Sequence, residues 1–189
     1  MTIRFVSCLV VLLLAGLGAG CSDATAPDPT ASWEVVNAGP VSLALPPGFA
    51  AMDDRDGVGD LGEQISSILD RAQFVARRGS LTDPVIDLIV VTAIPGSLSG
   101  AVPDLCKPLK STGYTLLDAR NTSLPIGTAR RCEISETAPV PDEAHPRSTA
   151  ITRFHIEIDG RSVTLAMVRL GDGSSVPEAD LIAATMSTG

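Results

Sequence analysis

The pattern of apolar and polar residues predicts a series of β-strands. Small and apolar residues alternate over Val41–Leu45, and the Pro-Pro-Gly-Phe that follows ends this first strand in a turn. Residues 85–94 are almost continuously apolar and β-branched, which is typical of a central strand buried on both faces. A loop is predicted over residues 121–127. Further short strands are predicted for residues 73–78, 115–120 and 130–135.

The clearest local signal is a β-hairpin near the end of the chain. Residues 151–158 and 161–170 are rich in apolar and β-branched residues, and Asp159 and Gly160 lie between them. An Asp-Gly pair supplies the positive φ angles of a two-residue type I′ turn, which fixes the register of the two strands. Two apolar pairs should then face each other, Phe154 with Leu165 and Ile156 with Val163.

Helices are predicted at three places. Capping patterns at residues 60–63 and 175–178 each precede apolar residues at helical spacing, and the first predicts a helix through Ala72. Residues 101–110 have the spacing of a short helix, which Pro108 must break or kink because proline lacks an amide donor. The apolar face of the closing helix is predicted to be Leu181, Ile182 and Met186. Strands and helices together indicate one α+β domain over residues 33–189.

The first 32 residues predict export and membrane attachment. Arg4 is followed by an apolar run over residues 5–17, which suits a signal peptide but is shorter than the roughly 20 residues of a spanning helix. Small residues then lead into Cys21, as in the lipobox of bacterial lipoproteins, although Leu17 lies one position further from the cysteine than is usual. We therefore predict a signal peptide over residues 1–20 and lipidation, including palmitate, at Cys21. An ordinary secretory signal is the alternative.

Residues 21–32 are predicted to form a flexible tether. They combine two prolines and two aspartates with small residues, a composition that cannot bury a core. The tether would let a folded domain stand clear of the lipid on the extracytoplasmic face of the cell membrane.

Two cysteines remain in the domain once the signal peptide and the lipidation site are set aside. Outside the cytoplasm, Cys106 and Cys132 should oxidise to a disulfide, which would stabilise the domain by about 3 to 4 kcal/mol. Two separate buried thiols are the alternative, since the sequence does not supply the geometry of a bond.

The composition excludes some classes of partner. Asp and Glu number 22 against 14 Lys and Arg, so the formal net charge of −8 argues against binding to nucleic acid. Aromatic residues are only 3% of the chain, which removes the usual large anchors of protein interfaces. The arginine pairs at residues 77–78 and 130–131 alternate sides on a strand, and we interpret them as exposed face and strand edge.

Asp87, His155 and Glu157 are the candidates for ligand binding. A carboxylate within the apolar run 85–94 is costly to bury alone, so Asp87 should pair with an arginine or line a pocket. His155 and Glu157 are two residues apart and could offer a nitrogen and an oxygen ligand to a divalent metal. The more ordinary interpretation of these two residues is a solvated polar face of the hairpin. No metal or other cofactor is predicted.

Motifs of common enzyme classes are missing from the sequence. It contains no G-x-S-x-G, no H-E-x-x-H and no phosphate-binding P-loop, and we expect a protein without catalytic activity. A hydrolase is left as an unsupported alternative.

The layout as a whole resembles lipid-anchored Mog1/PsbP-like proteins of actinobacteria, the LpqN type. The resemblance is carried by the lipobox-like start, the tether, the first strand with its proline-glycine-aromatic turn, the late Asp-Gly hairpin and the closing helix. Phe49 stands in this turn where the family usually has Trp. The resemblance implies an α/β/α sandwich, with an antiparallel sheet flanked by helices, that binds partners in the envelope. It brings no catalytic residues to this chain.

These observations favour a lipid-anchored, extracytoplasmic module of a bacterial cell envelope. Its sheet face or loops would bind a protein, glycan or lipid partner. The alternative is an extracytoplasmic carrier of an apolar small molecule, which would need a large enclosed pocket between helix and sheet.

Overall fold

The fold consists of two antiparallel sheets and one helix that lies wholly within the residues described by the computed structural model. Those residues are 28–52, 69–80, 82–96, 105–106, 114–137 and 148–189. The predicted signal peptide, the lipidation site Cys21 and the tether as far as residue 27 lie outside them. No helix in the described ranges is long and apolar enough to span a membrane.

The larger sheet has seven strands in the order β3-β4-β5-β9-β8-β7-β6, and the smaller has three in the order β1-β2-β10. All paired strands run antiparallel. The helix α1 (Ala179–Ala184) precedes the last strand. In chain order the strands are β1 (Glu34–Asn37), β2 (Val41–Leu45), β3 (Ala50–Ala51), β4 (Ala72–Arg78), β5 (Ile86–Pro95), β6 (Tyr114–Leu124), β7 (Gly127–Thr137), β8 (Ser148–Ile158), β9 (Arg161–Gly171) and β10 (Ser187–Thr188).

The interior of the larger sheet follows the predictions closely. The apolar run in β5 forms an interior strand between β4 and β9, and its first six residues are buried. The β8–β9 hairpin has the predicted register, in which Phe154 faces Leu165. Its turn is formed by Asp159 and Gly160, both with positive φ, at 49° and 70°.

The loop predicted over residues 121–127 is wrong. β6 and β7 pair along almost their whole lengths, and only Pro125 and Ile126 separate them. Asn121 and Ser123 favour turns in isolation, but here they are exposed on an edge strand whose ladder to β7 fixes the extended backbone. The turn lies instead where Pro125 cannot donate to a ladder and Gly127 takes a φ of 134°.

Of the predicted helix-flanked sandwich, the described residues show the antiparallel sheet and one complete helix. Of the helices predicted around residues 60–72 and 101–110, few residues are described, and Ala72 already belongs to β4. The one helix that is described in full has six residues and shares its side of the larger sheet with the smaller sheet. The described part of the domain is therefore rich in sheet.

The larger sheet is covered on both faces. We call the side that packs against β2 and α1 the helix face and the side that carries Cys132 the disulfide face. The core of the helix face includes Leu43, Ile89, Phe154, Leu165, Met167 and Ile182. The core of the disulfide face includes Val75, Leu88, Val90, Cys132, Ile134, Ile151 and Val168.

Candidate functional site

Asp87 is buried on the helix face between two arginines. Only 4% of its surface is exposed, and the strand register places Arg78 on one side of it and Arg169 on the other. Arg169 donates to both carboxylate oxygens, at 2.7 and 3.0 Å, and Arg78 donates twice to Oδ2, at 3.0 and 2.7 Å. Four charge-assisted hydrogen bonds thus compensate the cost of burying the carboxylate.

Arg78 also connects the sheet to α1. Its Nη1 and Nη2 atoms donate to the two carboxylate oxygens of Glu178, each at 3.0 Å, and Glu178 is the N-cap residue of the helix. The hydrogen bonds from Arg78 hold the pKa of Glu178 below its usual value. The Arg78 guanidinium also lies 4.6 Å from the ring centroid of Phe49, so it contacts the proline-glycine-aromatic turn.

A second arginine holds the helix from β7. Arg131 is buried, and its Nε donates to Asp180 of α1 at 2.8 Å while its Nη1 donates to Glu133 at 3.0 Å. Glu133 also accepts a hydrogen bond of 2.7 Å from Ser175. This bond, with a smaller contribution from Arg131, lowers the pKa of Glu133. We refer to Arg78 and Arg131 as the helix-anchoring arginines.

Several details at α1 differ from the sequence expectations. Ser175 does not cap the helix, because its hydroxyl donates to Glu133 on the sheet, and Glu178 is drawn to Arg78. Leu181, predicted to be on the apolar face, is exposed. The interpretation of the arginine pairs as exposed face and strand edge is wrong for Arg78 and Arg131, which anchor the helix. Their partners are distant in sequence, so no local pattern could have identified them.

His155 and Glu157 lie on the disulfide face, opposite Asp87, so the structure does not bring the three candidates together. His155 is only 9% exposed, and its Nδ1 lies 2.8 Å from the Thr164 hydroxyl. Burial, with a smaller effect of Arg153, lowers the pKa of His155 to about 4, so the ring is neutral at pH 7. Glu157 is exposed, and the solvated face expected for the pair is thus correct for Glu157 alone.

No metal centre is built by these side chains. Within the described ranges no group of three or more His, Cys, Asp or Glu residues could hold a metal ion.

Cys106 and Cys132 form a disulfide in the core of the disulfide face. Their Cα atoms are 5.5 Å apart and both residues are fully buried. The bond connects Cys106 to the centre of β7, which is the pairing predicted for the two cysteines of the domain.

A groove of about 510 Å³ lies where the edges of the two sheets approach each other. One wall comes from β1 and the other from β3 and β4, and the groove is partly open to solvent. β3 pairs with only two residues of β4, and the Met52 amide adds one more hydrogen bond of 2.8 Å, to the Val75 carbonyl. The lining residues are Val36, Asn37, Ala51, Met52, Gln73, Phe74 and Val75. We call this the inter-sheet groove.

The solved structures to which the chain is similar include two proteins of known identity. One is LpqN of Mycobacterium tuberculosis, described as involved in cell envelope biogenesis, with a TM-score of 0.46, 13% identity and coverage of 87% of this chain and 88% of that one. The other is the Ran-binding protein Mog1p of Saccharomyces cerevisiae, with a TM-score of 0.39, 14% identity and coverage of 79% and 82%. No family model matches the sequence, and no curated protein matches it.

Proposed function

We propose that this protein is a lipid-anchored, extracytoplasmic module of a bacterial cell envelope that binds an extended segment of a partner protein in the inter-sheet groove. The observation that carries the proposal is the groove itself, which lies between the outer strands of two sheets. Binding of an extended peptide beside an edge strand is a common mode of recognition.

The composition of the groove suits a polypeptide. Met52 and Phe74 offer apolar contact, while Asn37 and Gln73 offer amide groups to a main chain. Volumes of this size hold a few side chains, and the opening of the groove to solvent would let a longer segment enter and leave.

The disulfide supports the proposal that the protein folds in an oxidising compartment. A fully buried cystine in a small domain is typical of proteins that fold outside the cytoplasm. The signal-like start predicts export from the cytoplasm, and Cys21 is the predicted site of the lipid anchor. Each buried methylene of an acyl chain contributes about 0.8 kcal/mol, so more than one chain would hold the protein durably at the membrane.

A binding function, rather than a catalytic one, is also favoured by the contacts of Asp87 and His155, the side chains best suited to acid-base chemistry. The Asp87 carboxylate is shared by two arginines, and the His155 ring is buried against Thr164. These groups are therefore engaged in holding the fold.

Site-specific photo-crosslinking tests the proposal. A photo-reactive residue at Ala51, which lines the groove, should crosslink the anchored protein to a defined envelope protein, and Ala51→Arg should reduce that complex by about tenfold. The matched control is Ala50, the exposed neighbour on the same strand that does not line the groove. Equal crosslinking at both positions, or crosslinking only to lipid or glycan, would contradict the proposal.

The second candidate is the carrier of an apolar small molecule, which needs an enclosed pocket, whereas the inter-sheet groove is partly open to solvent. Native mass spectrometry separates the two candidates. A carrier should retain a bound lipid of defined mass that Ala51→Arg displaces, whereas a peptide-binding module should be free of it.

A further inference from the structure

β6 is the last strand of the seven-stranded sheet in the part of the chain that the structure describes. It has eleven residues and pairs, among the described strands, with β7 alone. Leu116 and Leu117 are exposed by 42% and 57%, next to a bulge in the ladder between Leu116 and Asp118. A long edge strand with exposed leucines is a surface on which another strand can pair.

The charges on this strand are arranged symmetrically about its middle residue. Ala119 has five strand residues on each side, and Asp118 and Arg120 flank it directly. If two copies of the strand pair antiparallel about a two-fold axis at Ala119, all eleven positions overlap. The same register places Asp118 opposite the partner's Arg120 on both sides of the axis.

We propose that two copies of this protein associate through β6 into a homodimer with a continuous fourteen-stranded sheet. The occupant of the edge is a second copy because one register satisfies both the full overlap of the strand and its charge complementarity. Away from the axis, the register pairs Thr115 with the partner's Ser123. It places the exposed Leu116 and Leu117 opposite the partner's Thr122 and Asn121.

The charged pair is available for this role. Asp118 accepts a hydrogen bond of 2.8 Å from its own Arg120, and Arg131 lies 3.4 Å away. The Arg120 side chain is 56% exposed, so an intramolecular pair of this kind contributes little by itself. In the dimer each carboxylate would lie between two Arg120 side chains, whereas a register centred on Asp118 or on Arg120 would oppose like charges.

The dimer leaves the inter-sheet groove free, because β6 and β3 are at opposite edges of the larger sheet. The inference is independent of what the groove binds. It rests on the proposed function in one respect only, since lipid anchoring would confine the protein to a surface and raise its effective concentration.

Sedimentation velocity of the full chain in mild detergent, over a wide range of concentrations, tests the proposal. The wild type should dimerise, while Arg120→Asp and Asp118→Arg should each raise the dimer dissociation constant at least about tenfold, because they oppose like charges. Mixing the two variants should restore association as a heterodimer, and the double variant should dimerise nearly as well as the wild type. Arg161→Asp, a charge change at the exposed end of β9, is the control.

The rescue distinguishes pairing through β6 from an effect on folding. Thermal unfolding of each variant checks that it is folded. If Asp118→Arg is unfolded through loss of its contact with Arg131, the comparison of Arg120→Asp with the Arg161→Asp control still decides the question. A wild type that stays monomeric throughout, or variants that mixing and charge exchange do not rescue, would overturn the proposal. The Ala51→Arg variant should dimerise normally. Loss of partner binding in the inter-sheet groove and loss of dimerisation through β6 are therefore measured independently.

Discussion

Arg78 and Glu178 are 100 residues apart in the chain and meet through two parallel hydrogen bonds of 3.0 Å. Because Glu178 immediately precedes α1, this contact fixes the start of the helix to β4. Arg131 holds the same end of the helix from β7 through Asp180. The position of the C-terminal helix is therefore set by charges on the sheet as well as by its apolar residues.

Removal of the first helix-anchoring arginine should destabilise the domain strongly. Arg78→Met leaves Glu178 without its partner and leaves the buried Asp87 with a single arginine, so we expect a loss of about 2 to 4 kcal/mol in the free energy of unfolding. Urea denaturation followed by circular dichroism measures this change in the free energy of unfolding. The matched control is Arg77→Met, the neighbouring residue on the other face of the strand, which should change stability by less than about 0.5 kcal/mol. Similar losses in both variants would contradict the assignment.

His155 should make the stability of the domain depend on pH in the mildly acidic range. Its pKa is lowered from 6.5 to about 4, so between these values the unfolded state binds a proton that the folded state does not. Stability should then fall as the pH drops from about 6.5 towards 4, by about 3 kcal/mol in total. Denaturation curves of the wild type and His155→Gln between pH 5 and 6.5 would measure the effect. An unchanged slope in the variant would show that the histidine is not its source.

Sequence patterns predict a strand correctly where its own residues, or the turn next to it, determine the backbone conformation. The continuous apolar run predicts the buried strand β5, and the Asp159-Gly160 turn predicts both the β8–β9 hairpin and its register. The polar stretch 121–123 was misassigned because turn propensity is a local preference. Pairing with β7 overrides that preference on an edge strand.

The charged site could be anticipated only in part. Burial of Asp87 within an apolar strand required an arginine partner, but which arginines face it depends on the order β4-β5-β9, which is a non-local property. The same limit applies to Arg131, whose partner Asp180 lies 49 residues away. The capping pattern before α1 was misleading because these cross-chain partners compete for Ser175 and Glu178.

The disulfide should contribute measurably to stability. Cys106 and Cys132 are 26 residues apart, and closing a loop of this length is expected to add about 3.5 kcal/mol through the entropy of the unfolded chain. Reductant should therefore shift the urea midpoint of the wild type downward and leave that of the variant with both cysteines changed to Ala unchanged. Alkylation of native protein before reduction should label neither cysteine. Two freely labelled thiols would contradict the disulfide in the native protein.

Lipidation at Cys21 can be tested against a second cysteine in the same leader. The predicted lipobox ends at Cys21, whereas Cys8 lies within the apolar run that the signal peptidase removes. Radiolabelled palmitate should be incorporated into the wild type and into Cys8→Ser, and Cys21→Ser should abolish it and release the domain from the membrane fraction. Because acyl chains provide the membrane affinity of a processed lipoprotein, labelling and membrane retention should be lost together. An unlabelled wild type whose soluble form begins beyond residue 21 would indicate an ordinary secretory signal instead.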